Sequence, residues 1–131
     1  MTSDDAAKVK LLRPEMQRKV AKMYKYAKDK GWTIQITSGY RSTAEQKRLY
    51  DKWIEDKNAG RKTVPVVAEP GTSRHEFGCA VDFYVNGGEG PEQKELGEYA
   101  VRELGLRWGQ NWSKDQEAWH FDLDPSTTPS S

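Results

Sequence analysis

The segment GTSRHEFGCAVDFYV, residues 71–85, decides how the rest of the sequence is interpreted. Its last six residues, AVDFYV, read as a β-strand, in which successive side chains point to opposite faces. Val81, Phe83 and Val85 then share one apolar face, and Asp82 points from the other. The carboxylate therefore does not interrupt the buried face, and it indicates that the second face has a different use.

A second apolar run, AWHFDL at residues 118–123, alternates in the same way and places His120 on the face opposite Phe121. If the two strands are neighbours, His120 and Asp82 project from one face of the sheet, and His75 lies in the loop just before. Two histidines and a carboxylate are a common ligand set for catalytic zinc. The residues alone leave open a non-haem iron site, which favours a closer spacing of histidine and carboxylate, and histidines that serve only as hydrogen-bonded residues.

Length and charge limit the classes of function. The chain has 131 residues, with 21 Lys and Arg against 20 Asp and Glu, so its net charge is +1. This balance gives no general attraction to nucleic acid or to an anionic membrane. We expect one domain at residues 1–124, a flexible polar tail at residues 125–131, and a monomer.

Apolar periodicity and helix caps predict an α+β fold. The sheet is small and mainly antiparallel, with helices packed on one face and a cleft on the other. The predicted elements are a helix at 13–30, a strand at 32–40, a helix from the Ser42 capping box to Gly60 with a core face of Leu49, Trp53 and Ile54, a long loop at 61–74, a strand at 80–85, a helix at 91–104 and a strand at 118–123.

Cys79 is the only cysteine, so no intramolecular disulfide is possible. A nucleophilic role beside His75 is a minor alternative to a buried, structural thiol. The N-terminal residues are polar, without the apolar stretch of an export signal or a membrane span. We therefore expect the chain to stay in the cytoplasm until something else releases it.

A metal site that hydrolyses peptides needs a base for the attacking water. Glu117, three residues before His120, can reach back from an irregular segment, and Asp115 and Asp122 are the competing candidates. Arg41, at the start of the second long helix, could hold a substrate carboxylate or a developing oxyanion.

Three motifs in the right order resemble one known family. SRHEFGCAVD matches the signature S-x-H-x-x-G-x-A-x-D, EAWH matches a second signature, and SGYRSTAEQKRLY resembles the upstream segment of the same group. The chain is similar, over about residues 32–123, to the zinc D-Ala-D-Ala carboxypeptidases and L-alanyl-D-glutamate endopeptidases. That family is related in fold to the hedgehog domain and to lysostaphin-type peptidases.

The resemblance implies a role for each matching residue. His75, Asp82 and His120 become the ligands of one zinc ion, and Glu117 becomes the catalytic base. Arg41 corresponds to the arginine that stabilises the tetrahedral intermediate.

Two further matching positions, Ser73 and Gln46, are expected to bind substrate. The implied substrate is the stem peptide of bacterial peptidoglycan. The bond that is cut stays open, because EAWHF resembles the VanY-type carboxypeptidases, whereas GLRWGQNW resembles the endopeptidases, including phage endolysins.

With no export signal in the sequence, we favour a phage endolysin that cuts the L-Ala–D-Glu bond and is released from the host cytoplasm to the cell wall. A D-Ala-D-Ala carboxypeptidase is the alternative. A non-catalytic zinc module that binds cell-wall peptides or a protein is a further alternative.

Overall fold

The computed structural model describes residues 1–63 and 65–124, so the predicted tail at 125–131 lies outside the described residues. The elements follow one another along the chain as α1 (Ser3–Val9), α2 (Pro14–Asp29), β1 (Ile34–Ser38), α3 (Thr43–Asn58), a short 3-10 helix (Arg74–Phe77), β2 (Ala80–Val85), α4 (Pro91–Leu104), β3 (Arg107–Trp108), a second 3-10 helix (Gly109–Asn111) and β4 (His120–Asp122).

The four strands form one antiparallel sheet in the order β1-β2-β4-β3. The strands that carry Asp82 and His120 are therefore the two central neighbours, as the sequence argument required. The α+β prediction is confirmed, and no described helix is long and apolar enough to span a bilayer.

The core lies between the sheet and helices α2 and α4. Val81, Phe83 and Val85 are fully buried on one face of β2, as their alternation predicts. The predicted apolar face of α2 is also buried, including Met16 and Val20, because these residues recur at helical spacing. Burying this face leaves the opposite face of the sheet free for polar side chains.

The position of α3 differs from the prediction. Its capping box forms as expected, with Ser42 Oγ accepting from the Glu45 amide at 3.1 Å. The predicted core face, however, is only half-buried at Leu49, Trp53 and Ile54. The helix borders the cleft instead of packing into the core, which explains why these residues stay partly exposed.

One α-helix, one strand and the two 3-10 helices were not predicted from the sequence. Helix α1 packs against β1, where Asp5 Oδ1 lies 3.4 Å from the amide of Ile36. Strand β3 has only two residues, in a stretch between residues 104 and 118 where the sequence predicted no helix or strand. It forms because Trp108 and Arg107 pair with β4.

Candidate metal centre and active site

The register of β2 and β4 brings the first two predicted ligands together. Asp82 is the direct cross-strand partner of His120, and both side chains leave the face opposite the core. Directly opposed side chains have Cβ atoms only about 5 Å apart. The strand parity that the sequence indicated thus becomes a pair of side chains facing a common point.

His75 reaches the same point from the 3-10 helix that precedes β2. Ser73 caps this helix, because its Oγ accepts from the His75 amide at 3.2 Å and the Glu76 carboxylate accepts from the Ser73 amide. Gly78 ends the helix with φ at +69°, a conformation that favours glycine. Capping at one end and a glycine at the other fix the position of the histidine.

The three side chains present one nitrogen or oxygen each. Asp82 Oδ1 lies 3.4 Å from His75 Nε2 and 3.4 Å from His120 Nδ1. The three atoms lie within 4.8 Å of one another, and Asp82 Oδ1 is buried without a hydrogen-bond partner among the described residues. Buried polar atoms are normally satisfied, so an orphaned carboxylate oxygen between two histidine nitrogens fits a cation. The donor set is that of a catalytic zinc site.

Each histidine is held from behind through its other ring nitrogen. His75 Nδ1 lies 2.7 Å from the carbonyl oxygen of Gly39, and His120 Nε2 lies 2.6 Å from Asp122 Oδ2. Such outer partners set the tautomer and the orientation of metal-ligating histidines. The ring nitrogens that face Asp82 are therefore the ones left available as ligands.

Asp122 is thus a support for His120. The sequence also left it open as a candidate base, but its carboxylate is 2 % exposed and is engaged by His120 and by Arg107 Nε at 2.7 Å. These contacts favour a supporting role for Asp122 over a role as base. Asp122 lies two residues after His120 on the same face of β4, and this spacing is the sequence signal that could have indicated a supporting carboxylate. The support of His75 by the Gly39 carbonyl has no such signal, because the carbonyl belongs to the backbone.

The protonation of the cluster reflects its charges. Burial alone would raise the pKa of Asp82, but the interactions with His120 and His75 outweigh it and hold this pKa below its ordinary value. Burial would lower the pKa of His120, but Asp122 and Asp82 raise it to about 9. An electronegative pocket that favours a cation on the ring in this way also favours a metal ion.

The metal cluster opens into a cavity of about 530 Å³, called here the site cavity. Its walls come from α3, the loop before the first 3-10 helix and the segment before β4. Its lining residues are Arg41, Gln46, Leu49, Pro65, Val66, Val67, Ala68, Ser73, His75, Asp82, Trp112, Lys114, Asp115, Glu117, Trp119 and His120. All seven residues to which the family resemblance gave a role are among them.

Glu117 is half-buried in this cavity, and burial raises the pKa of its carboxyl group. The Glu117 amide donates to the Gly109 carbonyl and the Glu117 carbonyl accepts from the His120 amide, both at 3.2 Å. These backbone bonds fix the base candidate next to a metal-ligand candidate. Asp115 lines the same cavity but is exposed.

Arg41 is held in a network beside Asp82. Its guanidinium donates to Gln46 Oε1 and to Ser38 Oγ, both at 2.8 Å, and Nη2 lies 3.8 Å from Asp82 Oδ2. Ser38 was not singled out from the sequence, although it lies in the SGYRSTAEQKRLY segment. The arrangement keeps a fixed positive charge at the edge of the metal cluster.

Gln46 is 1 % exposed, and both ends of its amide are engaged within the protein. Its Oε1 accepts from Arg41 and its Nε2 donates to the Ala68 carbonyl at 2.8 Å. This favours a role in positioning Arg41 and the loop over direct contact with substrate. Ser73 Oγ accepts from the His75 amide and donates to none of the described residues, so its hydroxyl hydrogen can be offered to a ligand.

Comparison with known proteins places the chain in a family. The sequence profile of VanY, D-alanyl-D-alanine carboxypeptidase, matches residues 9–123. The chain belongs to the VanY family. The resemblance that the three motifs indicated is thereby confirmed, and so is membership of a group of peptidase hydrolases.

The names of individual relatives of this VanY-family protein specify cleavage of different peptide bonds. The peptidoglycan L-alanyl-D-glutamate endopeptidase CwlK of Bacillus subtilis (strain 168) is 26 % identical over 88 % of this chain and 75 % of CwlK. A crystal structure of a VanY D,D-pentapeptidase variant in complex with Zn(II) is 26 % identical, with a TM-score of 0.66 over 85 % of this chain and 71 % of VanY.

The fold is also that of the Serratia marcescens L-Ala D-Glu endopeptidase ChiX. That structure has a TM-score of 0.63 and 22 % identity, over 95 % of this chain and 89 % of ChiX. Endopeptidases and carboxypeptidases therefore share this architecture. The fold alone therefore does not distinguish the two bonds.

Proposed function

We propose that the chain is a zinc-dependent peptidase that cleaves the stem peptide of bacterial peptidoglycan. The observation that carries the proposal is the group of His75, Asp82 and His120, with an orphaned carboxylate oxygen at its centre and Glu117 in the same cavity. A non-catalytic zinc module would need the three ligands but not the partly buried glutamate. The presence of both favours catalysis.

His75 Nε2, Asp82 Oδ1 and His120 Nδ1 would hold the ion. When bound, zinc supplies a Lewis acid that polarises a peptide carbonyl and lowers the pKa of water to about 7. Gly39 and Asp122 keep the two imidazoles in the required tautomers.

Glu117 acts as the general base and then as the general acid. Its carboxylate accepts a proton from the attacking water and delivers that proton to the leaving amine. Burial raises the pKa of the Glu117 carboxyl group, which makes its carboxylate a stronger base for the attacking water.

Arg41, at the edge of the metal cluster, stabilises the negative charge that develops on the peptide oxygen. Its guanidinium is held by Gln46 and Ser38, so it needs no reorganisation when the charge appears. The hydroxyl of Ser73 can donate to a backbone carbonyl of the bound peptide.

For the bond, we favour the L-Ala–D-Glu linkage, because CwlK matches most of the chain and GLRWGQNW resembles the endopeptidase segment. Cleavage of D-Ala–D-Ala is the second candidate, favoured by the VanY profile. Mass spectrometry of digested peptidoglycan separates them. A new N-terminal D-Glu supports the endopeptidase, and free D-Ala supports the carboxypeptidase.

The ligand assignment has a separate test. His120→Ala should lose bound zinc in elemental analysis, whereas undiminished zinc would contradict the assignment. The phage endolysin role is part of the proposal and rests on the similarity of GLRWGQNW to endolysin sequences. It predicts that expression inside a bacterium lyses the cells only when a holin is co-expressed, and lysis that does not depend on a holin would contradict it.

A further inference from the structure

A second cavity of about 670 Å³ borders the metal cluster, and we call it the arginine cavity. It shares Ala68, Ser73, Trp112 and His120 with the site cavity. The two cavities therefore adjoin at these four residues, beside the metal cluster.

Two arginines, Arg74 and Arg107, line the arginine cavity and face the same buried carboxylate. Arg107 Nε donates to Asp122 Oδ1 at 2.7 Å, and Arg74 Nε lies 3.8 Å from that oxygen. The other oxygen of Asp122 is engaged by His120. Asp122 is the one carboxylate among the described residues that line the cavity, so two guanidinium groups share a single negative charge there.

The two guanidinium groups also have unused donors. Arg74 Nε is buried and makes no hydrogen bond to any described residue, and the one side-chain hydrogen bond of Arg107 within the described parts of the chain uses its Nε. The side chains are 32 % and 46 % exposed, so ligands can reach them. A guanidinium has five N–H donors in a planar fork that matches a carboxylate.

We propose that Arg74 and Arg107 form a subsite for a carboxylate of the substrate, next to the bond that is cut. The inference rests on the proposed function, since it takes the stem peptide as the ligand. A charged acceptor would satisfy the free guanidinium donors and balance the surplus charge that Asp122 leaves. A neutral amide group would accept hydrogen bonds from the guanidinium donors but would not balance their charge.

The stem peptide offers this chemistry from two sources. One is the free α-carboxylate of a D-Glu residue that is linked through its γ-carboxyl group, and the other is the carboxylate at the end of the peptide. Both are planar carboxylates, so the subsite chemistry is the same. Three synthetic peptides distinguish the sources: L-Ala-γ-D-Glu-L-Lys-D-Ala-D-Ala, its D-isoglutamine counterpart, and its C-terminal amide.

The experiment measures binding of each peptide to the zinc-loaded protein by isothermal titration calorimetry, in a Glu117→Gln background so that the peptide is not consumed. Neutralising the recognised carboxylate should weaken binding by about tenfold or more, the size expected for a charge-assisted hydrogen bond. Arg74→Gln or Arg107→Gln should remove this difference. Arg74→Lys and Arg107→Lys, which keep the charge, should retain part of it.

Arg18→Gln is the matched control, since Arg18 is an exposed arginine of α2 and does not line the arginine cavity. It should bind all three peptides as the parent does. Equal affinity of the parent protein for the three peptides would overturn the proposal. So would a preference that persists unchanged in both glutamine variants with zinc content and melting temperature intact.

A parallel digestion of the same peptides by the protein with Glu117 intact separates the two proposals. Carboxylate-dependent binding without cleavage would contradict the peptidase function and leave the subsite standing. Cleavage at equal efficiency for all three peptides, together with equal binding, would contradict the subsite alone.

Discussion

Asp82 and His120 are direct cross-strand partners at the centre of the sheet, and Asp82 Oδ1 lies 3.4 Å from His120 Nδ1. The pair is held by the ladder of β2 and β4, while the fully buried Val81 and Phe83 anchor the opposite face of β2. The register of β2 against β4 therefore sets the distance between these two ligand candidates. A shift of either strand by one residue would turn its ligand to the other face of the sheet. His75 joins them from a helix that is capped at both ends.

Replacing Glu117 by Gln should abolish catalysis without loss of the metal. We expect kcat to fall by about 100- to 10,000-fold, the contribution typical of a general base. Zinc content, from elemental analysis, should not change. The matched control is Asp115→Asn in the same cavity, which should cleave purified peptidoglycan at close to the parent rate. Loss of activity in Asp115→Asn with parent-like activity in Glu117→Gln would instead make Asp115 the base.

Replacing Asp122 by Asn should weaken zinc binding. The substitution keeps the shape but removes the charge that orients His120, and loss of such a partner typically costs about 10- to 100-fold in metal affinity. Competition with a chelating dye measures the change. Asp51→Asn, at an exposed carboxylate of α3 paired with Lys47, is the control. Equal affinities in the two variants would show that Asp122 does not support the site.

Gly109→Ala should impair activity through backbone displacement. A Cβ at this position would lie 2.3 Å from the Glu117 carbonyl oxygen and 3.1 Å from His120 Cβ, so the base and a ligand must move. A misplacement of about 1 Å can cost about 100-fold in rate. Steady-state kinetics on a stem peptide measures the effect. In the control, Gly90→Ala, the added Cβ meets only the flexible side chain of Glu92, and parent-like kinetics in both variants would contradict the argument.

Thiol reagents should leave the enzyme active, whereas chelators should inhibit it. Cys79 is fully buried in the core, and burial raises the pKa of its thiol, so the reactive thiolate is scarce at neutral pH and becomes more abundant only as the pH rises. Modification by a disulfide reagent should be slow in the folded protein and fast in denaturant. Rapid modification of the folded protein with loss of activity would revive the cysteine mechanism.

The sequence predicted the central part of the site because strand parity is a local property. The alternation in AVDFYV can be read without knowing the fold. The Ser73–Glu76 capping box before His75 is equally local, but it was missed. The support of His75 by Gly39 could not be predicted from the sequence, because it depends on a backbone carbonyl that tertiary packing brings to the imidazole ring. The backbone of Gly39 also packs closely against the Lys8 carbonyl, which leaves no room for a Cβ and explains why residue 39 is a glycine.

Elements with little periodicity were missed for a related reason. Helix α1 has seven residues, too few for an apolar stripe, and its packing on β1 is what stabilises it. Strand β3 exists only through its pairing with β4. For α3, the apolar residues Leu49 and Trp53 indicated a core helix, but periodicity cannot distinguish a core from the wall of a cleft.

The strand order β1-β2-β4-β3 has a consequence for how the protein opens. Sheets fray from their edges, and here the edges are β1 and β3, so the strands with Asp82 and His120 should be among the last to separate. In hydrogen–deuterium exchange, the amides of β2 and β4 should exchange at rates set by global unfolding. Retention of the metal would then track the stability of the whole domain, and mutations far from the cluster would change how long the enzyme stays loaded.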